Sequence, residues 1–337
     1  MRLGSLALVL AVLLCIGYFI MIPMPGESHR GPLPPLTDGE AAAAERLQRD
    51  VMTIAGEIGP RSVYQYRSLE RAAAWIEDEL RAAGYEPKRE TFPIEPRDDV
   101  DWEVGVSNII VEVAGSDAGA GIVIIGAHYD GCGSTPGAND NGSGVAATLE
   151  LALRFAGVQP KRTIRFVFFV NEEPPFFQTE EMGSLVHARG CAARGEAIHA
   201  MLSIETIGCY LDEPGTQKYP PPLNFIYPDT GNFIAFVGNI RSRGLVRKCI
   251  GVFRETTAFP SEGGAVYGGL PGVGWSDHWS FWEIGVPAIM ITDTAPFRYE
   301  HYHTIFDTPD KLDYERIARV VGGLERVIHT LADEPAE

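Results

Sequence analysis

Five short motifs follow one another along the chain: His128-Tyr-Asp130, Asn139-Asp140-Asn141-Gly142-Ser143-Gly144, Asn171-Glu172-Glu173, Glu205-Thr-Ile-Gly208 and His303-Thr-Ile-Phe-Asp307-Thr308. Most lie at or just past the end of an apolar run. Two histidines and several carboxylates offer imidazole nitrogen and carboxylate oxygen, the donors that hard and borderline divalent cations take. Two such ions about 3.5 to 4 Å apart can activate one water between them. A paired-metal hydrolytic site is the chemistry these residues suggest.

Each motif also has a plainer reading. A lone His128 is more often a hydrogen-bonded structural histidine, but Asp130 two residues on can hold its second ring nitrogen and fix the tautomer a metal needs. Asp140 precedes a helical pattern, Val145, Thr148, Leu149 and Ala152, so capping explains it as well. A helix start also keeps a carboxylate ionised. Glu172-Glu173 ends the buried-strand run Arg165-Phe-Val-Phe-Phe-Val170 and is followed by Pro174-Pro175-Phe176-Phe177, an apolar wall where a solvated acidic pair would have a polar turn. Adjacent carboxylates in such a place can divide labour between metal ligation and proton transfer. Ser143 lacks the flanking glycines of a nucleophile elbow, and no Lys-Ser/Thr follows the glycines as in a phosphate loop.

These motifs need a scaffold that brings strand ends together. Strand-like runs are expected at residues 106–113, 121–127, 163–170, 200–204 and 286–292, and helices at 37–58, 68–83, 144–156, 182–194, 233–250 and 313–331. Such alternation predicts an α/β fold, a single globular domain with a mostly parallel central sheet flanked by helices. In open α/β sheets ligands sit beyond the carboxyl ends of the strands, where His128, Glu172, Glu173 and Glu205 fall.

Composition agrees with one folded domain: 337 residues, 45% apolar and 22% charged. A formal charge of −17 repels nucleic acid, so no nucleic-acid partner is expected. Cys15, Cys132, Cys191, Cys209 and Cys249 form no CxxC pair, and Cys191 and Cys209 read as free buried thiols rather than a disulfide. Leu3 to Met24 carries no charge and is long enough to span a bilayer, so residues 1–24 are read as an uncleaved transmembrane signal anchor. Arg2 suits the cytoplasmic side, which puts the body outside the cytoplasm; secretion after signal cleavage is the alternative. Residues 25–36 read as a Pro/Gly-rich linker, residues 37–333 as the catalytic domain and 334–337 as a tail.

The motifs resemble the dizinc aminopeptidases of metallopeptidase family 28, whose pattern runs H-x-D, D-x-x-x-G, E-E, D-x-x-G and H-T-x-x-D-T; the likeness covers most of residues 100–330. It implies two zinc ions per chain, with His128 and Glu205 on one, Glu173 and His303 on the other, Asp140 bridging and Glu172 as general base. The family commonly has Asp where this chain has Glu205. Ser276-Asp277-His278-Trp279 is similar to a family segment near the substrate, which makes Asp277 and His278, with Asp130, candidates to support the ligands from behind. Asp307 and Thr308 are expected to shape a turn, and His301 to sit at the rim. The implied reaction is hydrolysis of peptide bonds, with release of N-terminal residues from a peptide substrate. The rival readings are a glutaminyl-cyclase-like single-zinc acyltransferase, a noncatalytic binding ectodomain, and a serine hydrolase using Ser143.

Overall fold

Apolar residues occupy successive positions along the central strands and so face both ways, which requires a helical layer on each side of the sheet. The computed structural model describes residues 21–95 and 105–334. Its strands are β1 (Lys88–Phe92), β2 (Val106–Val113), β3 (Ile122–His128), β4 (Thr163–Phe169), β5 (Ile198–Ile204), β6 (Ile234–Asn239), β7 (Ser261–Val266) and β8 (Ala288–Thr292). They form one sheet in the order β1-β2-β4-β3-β5-β8-β6-β7. The helices are α1 (Asp38–Val51), α2 (Tyr66–Ala82), α3 (Gly144–Phe155), α4 (Gly183–Ala193), α5 (Arg243–Thr256), α6 (His278–Glu283), α7 (Ala295–Arg298) and α8 (Tyr314–Asp333).

The expected mostly parallel sheet is in fact mixed. β3 runs parallel to β4 and β5, β5 to β8, and β6 to β7, but β1 to β2, β2 to β4 and β6 to β8 are antiparallel. Strand direction is set by how each connection returns to the sheet, which the composition of a strand does not record. Three strands were also not anticipated. β6 occupies the front of the stretch expected to be helical at 233–250, and the helix there starts only at Arg243. β7 carries Gly263-Gly264, which weakens any strand signal, and β1 is an edge strand with largely exposed side chains.

Val123, Ile125 and Ala127 of β3, with Phe166 and Phe168 of β4 and Leu202 and Ile204 of β5, enter the larger core beneath α1, α2, α3, α5 and α8. Ile124, Val167, Phe169 and Met201 point the other way, into a smaller core with Ala188 of α4 and Phe281 of α6. Gly126 lets the Phe169 ring cross β3: a Cβ there would lie 2.3 Å from Phe169 Cε2 and 3.0 Å from the Val167 carbonyl oxygen. We therefore expect Gly126→Ala to cost about 1–3 kcal/mol of stability, the usual penalty of overpacking, read as a lower denaturation midpoint.

The N-terminal side of the body is tied down before the first helix. Arg254 donates to the carbonyls of Pro25 and Gly26 at 3.2 Å, the Ser261 amide donates to Ser28 Oγ at 2.8 Å, and Arg319 donates to the Pro34 carbonyl at 2.5 Å. The segment read as a spacer thus lies fastened against α5, β7 and α8. Thr37 and Glu40 then form a reciprocal capping box on α1. The anchor expected at residues 1–24 lies outside the described residues apart from 21–24; among those described, no helix is long and apolar enough to cross a membrane.

Candidate metal centre

The motifs converge because each one follows the carboxyl end of a strand or a loop held against it. His128 closes β3, and the loop after it is stapled by Arg61. This fully buried guanidinium donates to the carbonyls of Tyr129, Pro136 and Gly137 at 2.6, 2.5 and 2.8 Å, while its own carbonyl accepts from the Gly131 amide at 2.8 Å. Burial pulls Arg61 down to about 10, and the facing carboxylates Asp130, Asp307 and Asp140 oppose the fall, so it remains a cation near neutral pH.

Asp140 sits in a turn before α3, with non-helical backbone (φ −108°, ψ 96°). Its amide and that of Asn139 donate to the Asp307 carboxylate at 3.0 and 2.8 Å, and Tyr299 donates to the same carboxylate at 2.9 Å. Asn141 donates to the Ile204 carbonyl and to Glu205 Oε2 at 2.8 and 3.2 Å, and Ser276 Oγ also donates to Glu205 Oε2, at 3.1 Å. The Glu172 and Glu173 amides donate to the two oxygens of Asp130 at 3.2 and 3.1 Å. Asp130 therefore sets both glutamates as well as facing His128, whose Nδ1 is 3.4 Å from its Oδ1 and 3.2 Å from its carbonyl oxygen.

Two donor sets result, joined through Asp140. His128 Nε2 lies 3.3 Å from Asp140 Oδ1 and 3.0 Å from Glu205 Oε2. His303 Nε2 lies 3.0 Å from Asp140 Oδ2 and 3.3 Å from Glu173 Oε2. His128 Nε2, both Asp140 oxygens, Glu173 Oε1 and His303 Nε2 are buried atoms with no hydrogen-bond partner among the described residues. Buried polar atoms left without partners are costly, and here they point at one another across gaps that a cation could fill. Their mixture of imidazole and carboxylate suits zinc.

The charge balance agrees. Burial, with repulsion from Asp140, pushes Glu205 up to about 8 and Glu173 up to about 7, although the facing histidines oppose it. Burial pushes the Asp140 carboxyl up as well, but His128 and His303 outweigh it and hold the group well below the usual range. Burial alone would depress both imidazoles, yet the surrounding carboxylates raise them, so without cations the folded chain retains protons that the unfolded chain would release. Acids and histidines with raised folded pKa values both contribute stability below their unfolded values and lose it as pH rises through the folded ones. The metal-free protein should accordingly lose stability between about pH 5 and pH 8, and added zinc should raise the melting temperature more at pH 8 than at pH 5.5. Thermal melts of chelated and zinc-loaded protein across that range check both signs.

Glu172 is buried, 3.9 Å from His128 Nε2, and its carboxylate lies within 4.8 Å of donor atoms of both His128 and Glu173. Its carboxyl is raised well above the ordinary value by burial and by Glu205, Glu173 and Asp277, with His128 opposing. Asp277 is fully buried, and burial lifts it to about 7. His278, next to it, turns Nε2 to the Val273 carbonyl at 2.8 Å and packs edge-on against Trp282, while its buried Nδ1 has no partner among the described residues. Ser143 Oγ donates to the Asn139 carbonyl at 2.7 Å and accepts from the Ile207 amide at 3.1 Å. Fully buried and so engaged, it is no nucleophile. Cys191 and Cys209 are free thiols.

Asp307 does more than shape a turn, since it positions Asp140 through two backbone amides. The only sequence signal for it is its place four residues after His303. Arg61 carried no such signal, because its partners are backbone carbonyls that any sequence would supply.

The chain is similar over 302 residues to Uncharacterized protein YfbL of Escherichia coli (strain K12), at 36% identity, covering 86% of this chain and 88% of that one. The fold is similar to BSAP, a zinc aminopeptidase from Bacillus subtilis, with a TM-score of 0.68 over 87% of this chain and 96% of that one at 15% identity. It is similar also to Fimbriiglobus ruber glutaminyl cyclase, with a TM-score of 0.64 over 89% of this chain and 97% of that one at 21% identity. At such identities the two structures speak for the fold alone. The sequence model of Peptidase family M28 matches residues 108–327, the stretch that runs from β2 through every motif of the site, and the chain belongs to that family.

Proposed function

We propose that this peptidase-like hydrolase binds two zinc ions and releases N-terminal residues from peptides. The observation that carries the reading is Asp140, which turns one unpartnered carboxylate oxygen toward each of two histidines. His128, Glu205 and Asp140 would hold one ion; His303, Glu173 and Asp140 the other. When bound, the two ions supply positive charge that acidifies a water and polarises the scissile carbonyl. Glu172 takes the proton of the attacking water and hands it to the leaving amine, a task suited to a buried carboxyl whose hold on a proton is strengthened. Asp130 holds the Glu172 and Glu173 backbones in register while this happens.

Beside the centre lies a cavity of about 870 Å³, counting space open to solvent, with Glu205 and Tyr302 at the metal side. Its floor is the face of β8, β6 and β7, and its walls include Tyr219, Tyr227, Phe233 and Trp275. Tyr302 stacks on His303, with ring centroids 3.9 Å apart and planes 17° from parallel. An apolar side chain adjoining the scissile bond would bury there. The apolar segment Leu3–Met24 supports a membrane anchor with this domain outside the cytoplasm.

Metal content per chain should be measured together with cleavage of a peptide panel, free and N-acetylated, before and after chelation. Near two zincs with chelator-sensitive release of N-terminal residues, blocked by acetylation, is expected. One zinc and cyclisation of N-terminal glutamine would favour a cyclase, and no metal at all a binding module.

A further inference from the structure

One thiol stands at the metal centre and has no part in the reading above. Cys132 Sγ, Glu173 and His303 each offer a donor atom, and these atoms lie within 4.8 Å of one another. Glu173 is 4% exposed, and its Oε1 has no hydrogen-bond partner among the described residues. Cys132, by contrast, is half-buried. It is also held in place: Arg61 clamps the loop on both sides, and the Thr135 amide donates to the Cys132 carbonyl at 3.0 Å. Among the described residues, no cysteine joins the set formed by His128, Asp140 and Glu205.

We propose that Cys132 is a thiolate ligand of the ion held by His303 and Glu173. This rests on the two-ion reading. The two positions then differ in kind. The His128 position has one nitrogen and carboxylate oxygens, whereas the His303 position adds a soft sulfur. Soft thiolate donors favour zinc and cobalt over magnesium or manganese, so the His303 position fills first and holds its ion more firmly. His303, Glu173 and Cys132 would then supply three protein donors and leave room for a further ligand, as a catalytic position requires. On binding, the thiol proton leaves to solvent and the sulfur lone pair forms the new bond.

Cobalt(II) added to the metal-free full-length chain tests this without any assay of turnover. The first equivalent should bring thiolate-to-cobalt charge-transfer absorption in the near ultraviolet together with visible ligand-field bands. Cys132→Ser should lose the ultraviolet absorption and keep the visible bands. Zinc should also shield Cys132 from alkylation, read on its own peptide by mass spectrometry, a measurement that needs no variant. Two bound cobalt ions without sulfur-dependent absorption, and equal alkylation with and without zinc, overturn the ligand assignment while leaving the two-ion centre intact. Failure to bind cobalt at all overturns both.

Discussion

Replacing Glu172 by Gln should lower kcat by about 10²–10⁴-fold, the range that a positioned general base supplies, while zinc content and melting temperature stay near those of the parent chain. Three observations set this expectation. Glu172 stands 3.9 Å from His128 Nε2, further than Asp140 or Glu205, which leaves it room to take a proton. Its backbone is fixed by Asp130, so an amide of the same shape can take its place without moving the loop. Its carboxyl is pushed up by burial and by neighbouring acids, so loss of its charge relieves repulsion rather than leaving a partner exposed. Steady-state kinetics with elemental analysis of the same preparation decides the matter. Turnover within tenfold of the parent in a fully loaded variant would remove Glu172 from the role of base.

Asp140→Asn should be the more damaging change for metal binding. Asp140 comes within hydrogen-bond reach of both histidines, at 3.3 and 3.0 Å, and the amide keeps its shape but not its charge. Both donor sets lose a negative ligand at once, so zinc affinity should fall by more than about 10²-fold, beyond the cost of altering a merely supporting residue. His303→Ala gives the contrast, because it empties one position and leaves His128 with Glu205. Equilibrium dialysis with metal analysis should therefore return close to no tightly held zinc for Asp140→Asn and one for His303→Ala. Two tightly held zincs in Asp140→Asn would show that the carboxylate does not join the positions.

Local chemistry made much of this protein legible from its sequence. Short, near-continuous apolar runs marked β2, β3, β4, β5 and β8, because each must present apolar side chains to a core on either face. The ligand-capable residues were recognisable because imidazole and carboxylate at strand ends are expensive to place there without a purpose. What stayed hidden depends on partners far away in the chain. β7 survives two glycines because β6 pairs with it along its whole length, and β6 reads as helix until β8 fixes its direction. Asp307 looks like a turn residue until the fold sets it beneath the amides of Asn139 and Asp140. Arg61 and Cys132 reveal themselves only when the loop after β3 closes around one and brings the other to Glu173 and His303.

The sequence by itself therefore determined the class of fold and the residue types at the centre, since both follow from short-range pattern and intrinsic donor chemistry. Tertiary structure alone decided strand direction, the pairing of donors into two sets, and which buried atoms were left without partners. Those properties arise from contacts between separate elements of the chain, such as Asp140 with His303, and no local spacing encodes them.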